Sequence, residues 1–299
     1  MVVTQLRVDI PSVIRELDVA LKVLAEAKIV SRYRRIFKGK GLEFEDFREY
    51  TTSDDANEID WKASARANKT LIREFREERD MDVYFLVDVS SSMLYGSTPK
   101  LKYEYAAELT TAFMHFVLQS GDKTGLVLFT DKVVKYIEPA KGMKHFYMTL
   151  QNLLNPEFYG GNCNLKNSLE FLMNIVERKS LAFLITDFIG LGKGWEKTVK
   201  LSSGKLDGVA INVVDPVEMQ LPDGAGQVVI SDPFSEKEMI ADCNDDKLRD
   251  KYQEMMKFRQ ENLEKTMGKS LWEYLTVDTS KSFVRPVVEF LRRREILSR

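Results

Sequence analysis

Short, uninterrupted apolar runs punctuate the chain: VYFLV at 83–87, GLVLF at 125–129, LAFLI at 181–185 and VAINVV at 209–214. Segments with no polar face predict strands covered on both sides, as in a parallel sheet flanked by helices. Between them the period lengthens. Leu101, Tyr105, Leu109, Ala112, Phe113 and Phe116 share one helical face, and Leu165, Leu169, Leu172 and Val176 share another. The alternation predicts a doubly wound α/β domain. Thr130-Asp131 between GLVLF and VVKYI predicts a hairpin, and with it one antiparallel strand at the edge of a mostly parallel sheet.

The pattern changes at both ends of this core. Asp9, Pro11 and the apolar positions Ile10, Ile14, Leu17, Leu21 and Leu24 predict an amphipathic helix over 9–29. A basic, glycine-ending stretch over 31–41 follows it, with Arg32, Arg34, Arg35, Lys38 and Lys40. After Asp215-Pro216 come the turn cluster LPDGAG, a strand at QVVISD, and a charged helix over 245–267 stopped by Gly268. WEYLTV then resumes a strand, and 283–297 forms a last helix with Pro286 in its first turn. The expected division is an amino-terminal helix and arm over 1–80, then a domain over 81–299 carrying an insertion at about 216–270.

Composition narrows the function. The 299 residues are 44% hydrophobic and 30% charged, as in a globular protein. With 44 Lys+Arg against 46 Asp+Glu the net charge is −2, which disfavours a dedicated nucleic-acid binder. The basic 32–40 segment keeps open an anion-binding alternative. The two cysteines, Cys163 and Cys243, form neither a Cys-x-x-Cys pair nor a disulfide framework and fit a reducing compartment. With no signal-peptide pattern and no apolar run of about 20 residues, the expected location is the cytoplasm. Only His115 and His145 are present, which restricts zinc sites and histidine-based triads. Phosphate-loop, dinucleotide-binding and nucleophile-elbow patterns are absent, so no catalytic residue is assigned.

The chemistry concentrates at Asp88-Val-Ser90-Ser-Ser92, where the first core strand ends. Open α/β sheets bind ligands at the carboxyl ends of their strands. A carboxylate and two hydroxyls at alternate positions are hard donors suited to Mg²⁺ or Mn²⁺, and Asp187, ending LAFLITD, joins them if its strand lies alongside. Equally, Asp88 and the serines can cap the turn that follows.

Asp88, Ser90, Ser92 and Asp187 resemble the metal-ion-dependent adhesion site of the von Willebrand factor type A fold. That resemblance implies a hydroxyl from a Gly-Gly-Thr loop, where this chain reads Gly160-Gly161-Asn162-Cys163-Asn164. Asn162 or Asn164 is then the available oxygen donor, since soft sulfur suits Mg²⁺ badly. A second set of positions lies before the sheet: Gly39-Lys-Gly41-Leu-Glu43-Phe44, Arg48-Glu-Tyr50, Asp54-Asp55, Ile59-Asp60-Trp61 and Ser64-Ala65-Arg66. This string is similar to the signature of the family labelled domain of unknown function 58, which carries a von Willebrand A-like domain. Ser53 and Asn57 depart from the usual glycine and arginine.

Arg48, Asp54, Asp55, Asp60 and Arg66 are expected to form an ion-pair network around Trp61 that fixes the arm. The alternative is a partner-binding surface with Trp61 and an arginine as anchors. The resemblance implies a non-enzymatic adaptor working with a MoxR-type AAA+ ATPase, a partner's acidic side chain completing the coordination of the ion. A metal-independent scaffold binding through Arg48–Arg66 is the rival reading.

Overall fold

The computed structural model describes Pro11, Arg15 and residues 43–51, 54–55, 59–76, 80–235 and 237–297. Pro11 and Arg15 are helical. The rest of the expected 9–29 helix, the basic positions Arg32, Arg34, Arg35, Lys38 and Lys40, and Ser53 and Asn57 lie outside the described residues.

The apolar runs are the strands of one six-stranded sheet. It contains β3 (Asp82–Asp88), β4 (Lys123–Phe129), β5 (Val133–Ala140), β6 (Ser180–Thr186), β7 (Leu206–Val214) and β10 (Glu273–Asp278), in the order β10-β7-β6-β3-β4-β5. Every pairing is parallel except β4 with β5, so β5 is the antiparallel edge strand the Thr130-Asp131 turn predicts. This is the doubly wound, mostly parallel sheet with one antiparallel edge strand expected from the sequence.

Both faces are covered. On one, α2 (Lys102–Gln119) packs Tyr105, Ala106, Leu109, Phe113 and Met114 onto Val83, Phe85 and Val87, and α3 (Met143–Leu153) adds Phe146 and Leu153 to the same core. On the other, α4 (Leu165–Ile175) and α5 (Trp195–Ser202) cover Tyr84, Leu86, Ala182 and Leu184. β6, central and buried at all seven positions, shows why the strands carry no polar alternation. Gly208 lets Trp272 cross β7: a Cβ there would stand 2.0 Å from the indole.

Ahead of the sheet, β1 (Glu43–Glu49) pairs antiparallel with β2 (Leu71–Arg76) around the short helix α1 (Trp61–Ala67). Between β7 and β10 lie a turn of helix, α6 (Pro216–Met219), the separate hairpin β8 (Gln227–Ser231) with β9 (Glu238–Asp242), and the 24-residue α7 (Asp246–Lys269). The carboxyl-terminal part of α7 docks: Leu263 and Met267 join the core beside Trp272, whereas Met255 and Phe258 are exposed. The helix α8 (Val284–Leu297) closes the described chain, and Val287 and Phe290 are buried with the α2 face. Among the described residues no helix is long and apolar enough to cross a membrane.

Candidate functional site

β3 and β6 are neighbours in register Val87↔Ile185, so Asp88 and Asp187 emerge side by side at the carboxyl edge. The expected pairing of these aspartates is therefore present. What surrounds each one differs.

Asp88 is fully buried, and its carboxylate is held from several directions. Oδ1 accepts from the Ser90 amide at 2.8 Å; Oδ2 accepts from Thr186 Oγ1 at 2.6 Å and from Cys163 Sγ at 3.4 Å. Burial, aided by the charge of Asp187, pushes its pKa up to about 6. The same burial, with Asp88 adjacent, raises the Cys163 thiol well above its ordinary value and keeps it protonated. Ser90 and Ser92 are both buried, and their hydroxyls pair with each other at 3.3 Å. Ser91 ties this turn to the glycine loop, since its amide donates to Gly161 O at 3.0 Å and its hydroxyl accepts from the Gly161 amide at 2.9 Å.

Asp187 faces a different partner. Its Oδ1 accepts from the Ile189 amide at 2.8 Å, while Oδ2 accepts from Lys102 Nζ at 2.7 Å. Lys102 is the first residue of α2 and is wholly buried; it also pairs with Glu218 and lies 5.8 Å from the centre of the Tyr95 ring. Burial alone would lower its pKa, but the charges and hydrogen bonds of Asp187 and Glu218 raise it above the ordinary value. Glu218 is delivered by a capping box, in which Asp215 accepts from the Val217 amide at 3.0 Å and Glu218 sits at the third position of α6. Asp215 also accepts from the Ser97 amide at 2.7 Å, which fastens the loop after Ser92 to the end of β7.

The turn after Asp187 is strained. Phe188 has φ 57°, a left-handed conformation that a bulky side chain adopts only where its surroundings enforce it. Arg259 of α7 does part of that enforcing by donating to Phe188 O at 2.7 Å. The insertion thus reaches the site twice, through Glu218 and through Arg259.

The loop asparagines stand elsewhere. Asn164 caps α4 by accepting from the Asn167 amide at 3.3 Å, and Asn162 is exposed. Cys163, not an asparagine, points at Asp88. A divalent ion at this place would need hard oxygen donors free to turn toward it. The residues present do not fit one: the loop offers a neutral thiol where an oxygen donor is needed, and one Asp187 oxygen is occupied by an ammonium. Among the described residues no three His, Cys, Asp or Glu side chains form a metal-binding group.

Lys102, Thr186, Glu218 and Arg259 are site residues that periodicity did not single out. One signal was available for Lys102. Apolar residues from Tyr103 to Val117 stand on several faces of its helix, which predicts extensive burial and makes a charge within it one that needs a partner. The histidines serve elsewhere: His145 Nε2 donates to Thr124 O at 2.6 Å, and His115 packs against the Phe146 ring at 5.8 Å.

The arm residues are positioned as follows. Arg48 forks onto Asp54 with two 2.7 Å bonds, and Asp54 also accepts from the Thr51 amide at 2.8 Å. The guanidinium and these bonds hold Asp54 well below the usual carboxylate range. Asp60 is a helix cap, accepting from the Lys62 and Ala63 amides at 3.0 Å each. Ser64 Oγ donates to Asp60 O and accepts from the Leu71 amide, both at 2.8 Å, knitting α1 to β2. The Tyr50 amide donates to Thr70 O at 2.9 Å; Asp55 and Arg66 are exposed. Trp61, the first residue of α1, is 70% exposed and so is not enclosed by the charged residues expected around it.

The family described as "Protein of unknown function DUF58" matches residues 46–262. Uncharacterized protein Rv1480 of Mycobacterium tuberculosis is 23% identical over 290 residues, covering 95% of this chain and 90% of that protein. An aerotolerance-related membrane protein from Bacteroides fragilis superimposes with a TM-score of 0.48 at 16% identity, covering 71% of this chain and 99% of that one. A von Willebrand factor type A protein from Catenulispora acidiphila gives 0.43 at 12% identity, covering 76% of this chain and 44% of that one.

Proposed function

Since the chain belongs to the DUF58 family, we propose that it is a non-enzymatic protein-interaction adaptor whose contact surface is the loop cluster at the carboxyl edge of its sheet. One observation carries this reading. The buried nucleophile-type groups at the edge are held passive, with Cys163 kept as a thiol beside Asp88 and Ser90 and Ser92 bonded to each other. A catalytic cysteine needs thiolate character and a catalytic serine needs an adjacent base. The loops that carry them are nonetheless cross-tied into a firm rim by the Ser91–Gly161 and Ser97–Asp215 bonds, and a rigid rim binds without a large ordering cost.

The partner in this proposal is a MoxR-type AAA+ ATPase, the class the family resemblance implies, and the adaptor works in assembly or maturation of other proteins. The test is biolayer interferometry between the full chain and that purified ATPase from the same organism. Asn162→Arg, an exposed change on the rim, is expected to weaken binding about 10-fold or more. Absence of measurable binding by the wild-type chain would remove this partner.

The exposed Trp61 favours a second reading, a scaffold that binds through the Arg48–Arg66 surface. Binding that survives Asn162→Arg and is lost in Trp61→Ala selects it.

A further inference from the structure

Lys102 is a lysine in an unfavourable place. It occupies the first position of α2, where the helix dipole disfavours a cation, and it is wholly shielded from water. Its Nζ reaches Asp187 Oδ2 at 2.7 Å and Glu218. These carboxylates come from separate segments, the end of β6 and the turn after β7. An ammonium would not sit there unless the carboxylates required a positive charge.

We propose that Lys102 is the resident cation of this site, a tethered ammonium doing the charge-balancing that a divalent ion would do, so that the edge keeps its shape without metal. The rest of the pocket is consistent with that assignment. Asp88 has both oxygens engaged by protein donors, and the side chain the glycine loop presents to it is a sulfur. Glu218 makes the arrangement contingent on the insertion, since the α6 turn that carries it opens that segment and Tyr252 of α7 donates to its carbonyl at 3.0 Å. Lys102 is therefore a positioning residue: it joins β6, α2 and the insertion through one charge. The inference concerns charge balance alone, and its tests need no partner, so it stands or falls separately from the adaptor reading.

The experiment is thermal unfolding of the full chain in Mg²⁺, Mn²⁺ or EDTA, beside a titration with Mn²⁺ followed by electron paramagnetic resonance. For the wild type the expected result is a Tm equal within about 1 °C in all three conditions, and no saturable Mn²⁺ site tighter than about 1 mM. Lys102→Met is expected to lower Tm in EDTA by about 10 °C, because two carboxylates lose their counter-charge. Mg²⁺ or Mn²⁺ should then return part of that loss. The Lys102→Met, Asp187→Asn double variant should be destabilised by less than the sum of its single changes. A wild-type Tm that rises with divalent ion, and fails to rise in Asp88→Ala, overturns the proposal; so does a Lys102→Met protein as stable as wild type in EDTA. If Lys102→Met does not fold, the wild-type Mn²⁺ titration decides alone: a saturable tight site refutes the assignment and its absence supports it.

Discussion

The carboxyl edge of the sheet and the arm before it each hold an aspartate that organises its surroundings, and the two behave oppositely. Asp88 is enclosed, bonded to hydroxyl, thiol and amide donors, and its pKa is raised from 3.8 to about 6. Asp54 lies near the surface in a fork with Arg48 and is held below its ordinary value. Enclosure without a formal countercharge favours the neutral acid, whereas a guanidinium with water nearby favours the carboxylate. Lys102 and Asp187 make the same point for pairs. Their side chains are 0% and 1% exposed, against 42% and 13% for Arg48 and Asp54, so breaking the first strands a buried charge and breaking the second does not.

The largest effect should come from Asp187→Ala, which leaves the Lys102 ammonium with Glu218 alone and should cost about 3–5 kcal/mol by urea denaturation. Arg48→Ala, the matching cut in the arm, should cost about 0.2–1 kcal/mol. Equal losses would break the comparison.

A pH series separates the two aspartates more finely. Because the folded state holds a proton on Asp88 more tightly than the unfolded state, the contribution of Asp88 is full below about pH 4, declines as pH rises, and is gone above about pH 6. Across that window the wild type should lose stability that Asp88→Asn does not lose. Asp54 carries the opposite sign: its contribution is present above its ordinary value and disappears as pH falls through the depressed one, a fall that Arg48→Ala should blunt. Parallel pH profiles for Asp88→Asn and wild type would refute the burial account. Smallest of all, Trp61→Ala should move the midpoint by no more than about 0.5 kcal/mol, since its ring is exposed. A larger loss would mean that the ring has a structural load in the arm after all.

Much of the edge was legible because its signal is local. The run at 83–87 reads as a covered strand, and a strand ending in Asp-x-Ser-x-Ser delivers those side chains to the binding edge of an open sheet. The placement of the loop asparagines follows from a local effect too. Asn164 is needed by its own helix as a cap, and the loop turns Cys163 inward in its place. In the arm the expected pairing of Arg48 with Asp54 is present, whereas Trp61 is exposed, because the signature positions by themselves do not fix which side chains of a seven-residue helix face water.

The sequence by itself determined the six strands of the sheet, the helices over 101–116, 165–176, 245–267 and 283–297, the antiparallel edge, and the arrival of Asp88 and Asp187 at one end of the sheet, because periodicity and turn chemistry are written in neighbouring residues. Tertiary structure alone decided what fills the space between those aspartates. Lys102 meets Asp187 across 85 positions and Glu218 across 116, and Arg259 reaches Phe188 across 71. Contacts at such separations follow from how helices and insertion dock on the sheet, which no local pattern specifies.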